Sequence, residues 1–166
     1  SGGASSLLVQ RAAGLTLADK QAITRRLLAS GAPIQEINAV RRRLSAIKGG
    51  GLARVIGARH ILAFAISDVP GDDFADIGSG PLSPDPGTAA GALAILQRRG
   101  VEPPPAVARL LAGDPVTGCA PVPPVTARIV ASAATATAAV AAAARDAGWP
   151  VAVLPPATGP ARDVAR

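Results

Sequence analysis

The sequence predicts an α/β fold whose strands lie mainly parallel in one sheet, and three observations carry that prediction. The segment His60-Ile61-Leu62-Ala63-Phe64-Ala65-Ile66 is nearly continuous apolar, as a strand buried on both faces would be. From Arg128 to Leu154 an apolar run, an Ala-rich helical stretch and a second apolar run follow at the spacing of a strand–helix–strand unit, which sets parallel strands in one sheet with a right-handed crossover. With Phe64, Phe74 and Trp149 the only aromatics, Ala, Val, Leu and Ile must fill the core. Such small side chains favour helices packed closely on a sheet over a β-sandwich.

Each element follows from local signals. Residues 1–8 read as a small-residue turn running into apolar residues. Thr16 caps a helix, with Asp19 as the partner of a capping box; Leu17, Ile23, Leu27 and Leu28 give its period, and Ser30-Gly31 ends it. After Pro33 a second amphipathic helix carries Ile34, Ile37, Val40, Leu44 and Ile47 on one face until Gly49-Gly50-Gly51 stops it. The strand at 60–66 empties into Ser67-Asp68-Val69-Pro70-Gly71-Asp72-Asp73, and a Gly-, Pro- and Ser-rich loop spans 78–87. Helices are expected at 88–99 and from the triple proline 103–105 through Leu111, with a Pro/Gly-rich connector at 113–124. Residues 128–131 begin a second strand, 135–147 form the Ala-rich helix, 151–154 a third strand, and 158–166 the start of another helix.

Composition narrows the class. The 166 residues are 49% hydrophobic and 17% charged, too apolar for a disordered chain and long enough for one ordinary domain. No stretch reaches the roughly 18 uninterrupted apolar residues of a membrane span. A lone Cys119 makes no internal disulfide and fits a reducing compartment, and no basic and then apolar leader opens the chain. The chain holds no Met and begins at Ser1 on a glycine pair, which reads as a piece of a longer protein. Net charge is +6, with 17 Lys and Arg against 11 Asp and Glu, so anions of any kind are attracted. The near-absence of aromatics for stacking weighs against nucleic acid.

Chemistry concentrates in short Gly-bearing polar turns beside element ends, where open parallel sheets bind ligands. Gly2-Gly3-Ala4-Ser5-Ser6 offers backbone N–H groups and hydroxyls to an anion, or is a plain turn. Asp68, Asp72 and Asp73 lie within six residues, and three carboxylates so close call for a cation or for donors; Mg²⁺ on a nucleotide phosphate is one compensator, helix capping another. Arg41, Ser45 and Lys48, spaced by four and three on the second helix, share a face, and Lys48 at its end is free to reach a phosphate or to stabilise the helix terminus. The Arg41-Arg42-Arg43 cluster is either a solvated face or a ligand contact. A P-loop is absent, no Gly-x-Gly-x-x-Gly follows a strand, and the single His60 and Cys119 build no zinc site, so His60 is read as structural.

These residues occur in a recognisable order: Ser1-Gly2-Gly3-Ala4-Ser5-Ser6-Leu7-Leu8, Leu15-Thr16-Leu17-Ala18-Asp19-Lys20, Ser30-Gly31-Ala32, Glu36-Ile37-Asn38, Val40-Arg41, Leu44-Ser45-Ala46-Ile47-Lys48-Gly49-Gly50, Ser67-Asp68-Val69-Pro70-Gly71-Asp72, Ser79-Gly80-Pro81 and Pro84-Asp85-Pro86. In this the chain resembles the glycerate 2-kinases of the MOFRL-associated family, whose older name is often hydroxypyruvate reductase. The likeness runs from residue 1 to about Leu96 and is looser beyond. It implies a Rossmann-like three-layer domain with a mainly parallel sheet, and places residues 1–166 in the later part of the N-terminal kinase domain, the family's opening segment and its C-terminal MOFRL domain lying outside this chain. Ala4, Gly51, Leu82 and Gly87 depart from the residues usual in the family at those places.

The resemblance further implies a cytoplasmic transferase that moves the γ-phosphoryl of ATP to the 2-hydroxyl of D-glycerate with Mg²⁺, giving 2-phosphoglycerate. Partners are then D-glycerate and ATP, with no nucleic acid or membrane, and self-association into a homo-oligomer is left open. Catalytic roles are expected for Lys48, Asp68 and Arg41, the cations neutralising the transferring charge. Gly2, Gly3, Ser5, Glu36, Asn38, Ser79, Gly80 and Asp85 are expected to bind substrate or phosphate, and Asp68 and Asp72 to hold the metal. A non-catalytic anion- or nucleotide-binding module and an NAD(P)H-dependent hydroxypyruvate reductase are the alternatives.

Overall fold

The computed structural model describes residues 3–113, 122–156 and 162. In chain order the elements are α1 (Ala4–Leu7), α2 (Leu17–Ala29), α3 (Ile34–Arg43), α4 (Gly51–Ile56), β1 (Ile61–Ser67), a 3-10 turn (Ile77–Ser79), α5 (Ala89–Arg98), α6 (Pro105–Ala112), β2 (Val125–Ser132) and α7 (Ala133–Asp146). The fold is α/β: β1 and β2 form a parallel two-stranded sheet, with α5 and α6 lying between them in the chain. Cys119, and all of the expected final helix except Arg162, lie outside the described residues. The chain divides into two compact units, Ser1–Val130 and Ala131–Arg166.

The first unit is built around a helical core. Ile23 and Leu27 of α2, Ile37 and Val40 of α3, Ala92 and Leu96 of α5, and Val107 and Leu111 of α6 are buried in one cluster with Leu15, Leu44 and Val101. Spacings of three and four put these pairs on one face of each helix. The Thr16 capping box forms as expected: its hydroxyl accepts from the Asp19 N–H while the Asp19 carboxylate accepts from the Thr16 N–H. Thr88 caps α5 by a single bond, its hydroxyl accepting from the Gly91 N–H with no reciprocal partner at that glycine. In the second unit α7 starts from a reciprocal Ser132–Thr135 box and is carried by alanine, the strongest helix former.

Three expectations are corrected. The helix after Pro33 ends at Arg43, not at the glycines. The Ser45 hydroxyl accepts from the N–H groups of Ile47 and Lys48, and a serine so placed turns the backbone away from the helix. Gly51 then opens α4 instead of closing α3, so Arg41, Ser45 and Lys48 share no helical face. The strand β1 is covered on one face only: Ile61, Ala63 and Ser67 are buried, whereas Leu62, Phe64 and Ile66 are exposed. An apolar run states what a strand tolerates, and its packing decides how many faces are covered. Residues 151–154 form no strand, and Val153 and Leu154 are exposed; a strand exists only where a neighbour completes its N–H and C=O groups. The strand–helix–strand unit expected at 128–154 is therefore absent.

The C-terminus of α5 is fastened to α3 by Glu36, which accepts from Arg99 Nε at 2.6 Å and from Arg98 Nη2 at 3.0 Å. Those hydrogen bonds, first from Arg99 and then from Arg98, hold the Glu36 carboxyl down to about 2. A carboxylate whose pKa falls on folding stabilises the fold above its ordinary value, and that contribution is lost as pH drops through the folded value. The stability margin of the parent protein over Glu36→Gln is accordingly expected to be full above pH 4.5 and to close as pH falls toward about 2, read from urea melts across that range.

Candidate functional site

The site begins with a turn that only glycine makes easily. Gly3, at φ 80°, starts the short helix α1, which packs against the 3-10 turn and presents Ser5 to it. Opposite lies the segment after α3. Gly49 and Gly50 also have positive φ, and their N–H groups donate to Ser79 O at 3.2 Å and Gly80 O at 2.8 Å, while Ala53 N–H donates to Pro81 O at 3.3 Å. Residues 48–53 therefore run along residues 78–81.

Between these two segments Lys48 is buried, 4% exposed. Its Nζ donates to Ser5 O at 2.9 Å, Ser5 Oγ at 2.9 Å and Gly78 O at 3.1 Å, so all three ammonium protons are used on neutral acceptors. No carboxylate pairs with it among the described residues. Burial, then the charges of Arg41 and Lys20, bring its pKa from the ordinary lysine value down to about 8. Arg41 donates to Ser5 O at 3.3 Å and is itself pulled down by burial. Lys20 on α2 is lowered by burial and then by Arg41 and Arg11. Arg11 also lines an open groove of about 930 Å³ that runs along Ser6, residues 9–15 and Leu17. Lys48, Arg41, Lys20 and Arg11 thus act on one another with no acid paired to them among the described residues, an arrangement that an anion relieves.

The structure sorts the sequence-derived candidates. It brings Ser5, Arg41, Lys48 and Ser79 together, with Gly3 and Gly80 in the turns that deliver them. Lys48 is not the mobile end-of-helix charge expected but a fixed, bonded one. Glu36 is not in this cluster, being held by Arg98 and Arg99, and Asn38 is half-buried on the same helix. Gly2 lies outside the described residues. Asp68 is exposed just past the end of β1, and Asp72 sits at φ 53° in the turn that follows. Asp73 accepts from Ala75 N–H and so terminates that loop. His60 has the structural place expected, its Nε2 2.7 Å from Thr126 Oγ1. Lys20 was not legible as a site residue: it follows a capping aspartate on a surface helix, and only the packing of α2 and α3 turns it toward Arg41.

Asp85 serves the site from behind. Its side chain is 4% exposed, pairs with Arg42 and Arg43 at the end of α3, and accepts from Gly87 N–H at 3.0 Å. Arg42 also reaches Asp76 at 3.2 Å, so Arg42 and Arg43 are spent on carboxylates, while Arg41 alone of the three turns to Ser5. A Cβ on Gly49 would come within 2.7 Å of Asp85 Cβ, so the loop carrying Asp85 lies directly on the residue after Lys48. This carboxylate, expected to bind substrate or phosphate, is held by Arg42 and Arg43 against the backbone at Gly49.

The donor set can be tested for a metal. Among the described residues no three His, Cys, Asp or Glu side chains form a closed cage. Asp68 and Asp72 supply hard oxygen donors in one loop, and Mg²⁺ takes one or two carboxylates and completes its shell with phosphate oxygens and water.

The model of a domain of unknown function, DUF4147, matches residues 1–112. A protein of Agrobacterium vitis that carries a provisional hydroxypyruvate reductase name is 46% identical over the whole chain, which covers 38% of that protein. The D-glycerate 2-kinase of Thermotoga maritima is 42% identical over 67% of this chain and 27% of its own length. The crystal structure of a glycerate kinase from Thermotoga maritima superposes with a TM-score of 0.76 at 34% identity, covering 89% of this chain and 35% of that one. The chain therefore spans less than half the length of these relatives. No helix among the described residues is long and apolar enough to cross a membrane.

Removing Asp85 leaves two partly buried guanidinium groups without their shared partner, and the buried Nε of each already lacks one among the described residues. Asp85→Ala is expected to destabilise the fold by about 3 kcal/mol, measured by denaturant unfolding; a change near zero would mean that the ion pairs add nothing.

Proposed function

The chain belongs to the DUF4147 family, and from that premise we propose that the protein carrying it is an ATP-dependent glycerate 2-kinase, transferring the γ-phosphoryl of ATP to the 2-hydroxyl of D-glycerate to give 2-phosphoglycerate. The names of its relatives support a kinase of glycerate. The observation that carries the reading is the buried Lys48 ammonium, which has no carboxylate partner among the described residues, is bonded to Ser5 and Gly78 and feels the charges of Arg41 and Lys20.

Phosphoryl transfer asks a protein mainly for positioning and for neutralisation of charge on the transferring group. Lys48 and Arg41 supply that charge, and being held by fixed acceptors they need no rearrangement as negative charge builds up. With a pKa of about 8, Lys48 is mostly an ammonium at neutral pH. Gly3 and Ser5 form the cradle for the substrate carboxylate or a phosphate. Asp68 and Asp72 would hold Mg²⁺, which when bound screens the phosphate oxygens and draws electron density from them. One of the two carboxylates orients the glycerate hydroxyl. Glu36 and Asp85, engaged in ion pairs, hold the framework and touch no ligand in this reading.

In the full-length protein, Lys48→Ala and Asp68→Ala are each expected to lower glycerate-dependent ADP release about 100-fold or more. The parent kcat/KM for ATP is expected to fall as pH rises through about 8, where Lys48 loses its charge. Both variants turning over near the parent rate would refute the site assignment. Oxidation of NAD(P)H by hydroxypyruvate without ATP would refute the kinase reading in favour of the reductase.

A further inference from the structure

Gly78, Ser79 and Gly80 have φ of 62°, 67° and 63°, three successive residues in the left-handed region. Glycine enters that region freely, whereas a residue with a Cβ is strained there. Gly80 is constrained to be glycine, because a Cβ would stand 2.5 Å from Ala75 O. Ser79 is the one position of the turn where a side chain is kept despite the strain. That side chain is buried, 2% exposed, and its Oγ lies 2.9 Å from Ser5 Oγ. Strain held in a packed site marks a group retained for what it does.

A hydroxyl oxygen has two lone pairs and one proton. Lys48 Nζ donates to one lone pair of Ser5 Oγ. We propose that Ser79 is a positioning residue whose hydroxyl donates to the second lone pair, so that Ser5 Oγ can accept nothing more and must turn its own proton toward an oxygen of the bound anion. The same turn delivers Gly78 O to Lys48 Nζ and Ser79 O to Gly49 N–H, so one strained segment sets both the hydroxyl and the ammonium. The charged groups facing Lys48 are Lys20 from α2 and Arg41 from α3, and both are cations that reinforce attraction of an anion. This rests on the reading of Ser5 and Lys48 as an anion site and deepens it: Ser79 makes Ser5 a pure donor, selective for a phosphate or carboxylate oxygen over a ligand hydroxyl proton.

The test separates strain from orientation. Ser79→Gly and Ser79→Ala both remove the hydroxyl, but only glycine relieves the backbone, so Ser79→Gly is expected to melt about 3 °C above Ser79→Ala. Despite that difference, both variants of the full-length protein are expected to bind inorganic phosphate about fivefold more weakly by calorimetry. In a Ser5→Ala background neither change should weaken phosphate further, because Ser79 acts only through Ser5. Phosphate binding that follows melting temperature, additive losses in the double variants, or no phosphate binding by the parent would each overturn the proposal. Failure of the kinase reading shows separately, as a parent protein that binds phosphate yet releases no ADP with glycerate.

Discussion

A buried ammonium with no carboxylate on it among the described residues is a demanding thing to fold around. Water can no longer solvate Lys48, and the structure answers with three neutral oxygens arranged about Nζ: Ser5 O, Ser5 Oγ and Gly78 O. Meeting that need draws together three stretches of chain far apart in sequence, the N-terminal turn, the segment after α3 and the 3-10 turn. The compensation is deliberately incomplete in one respect. Hydrogen bonds satisfy the protons but leave the charge unneutralised, and with Arg41 and Lys20 close by the cluster retains a net pull on anions.

Everything behind this ammonium serves to hold it still. The backbone of residues 48–53 is laced to residues 79–81, and Asp85 is clamped by Arg42 and Arg43 so that its loop rests on Gly49. Contact that close leaves no space for a Cβ. The glycine pair after Lys48 is thus explained by the Asp85 side chain lying on Gly49 and the Ser83 carbonyl on Gly50, as well as by positive φ. The clamp also recasts the three arginines of α3: Arg41 turns to the site, while Arg42 and Arg43 turn to the scaffold.

How much of this was legible in the sequence depended on the range of the physics involved. The cap at Thr16, the buried pairs Ile23 and Leu27 of α2 and Ile37 and Val40 of α3, and the strand starting near Ile61 all rest on neighbours within four residues and form as expected, although Leu17, Leu28 and Ile34 of the expected faces are exposed. The end of α3 was misread because a serine hydroxyl competed with the helix for the backbone at Ile47 and Lys48. The exposed face of β1 and the missing strand at 151–154 were misread for a different reason: both depend on which surfaces find a partner, and apolar composition is silent on that.

For the site, the order of motifs pointed to Ser5, Arg41, Lys48 and Ser79, and these residues do meet. Sequence by itself determined the residue types, the turns that glycine permits, the helical faces and the excess of cations, because each follows from single side chains or from short-range periodicity. Tertiary structure alone decided that Lys48 is buried, that Asp85 and Glu36 are spent on arginines, and that Lys20 joins the cluster. Those outcomes depend on distances between segments dozens of residues apart, where a carboxylate goes to whichever cation packing brings nearest.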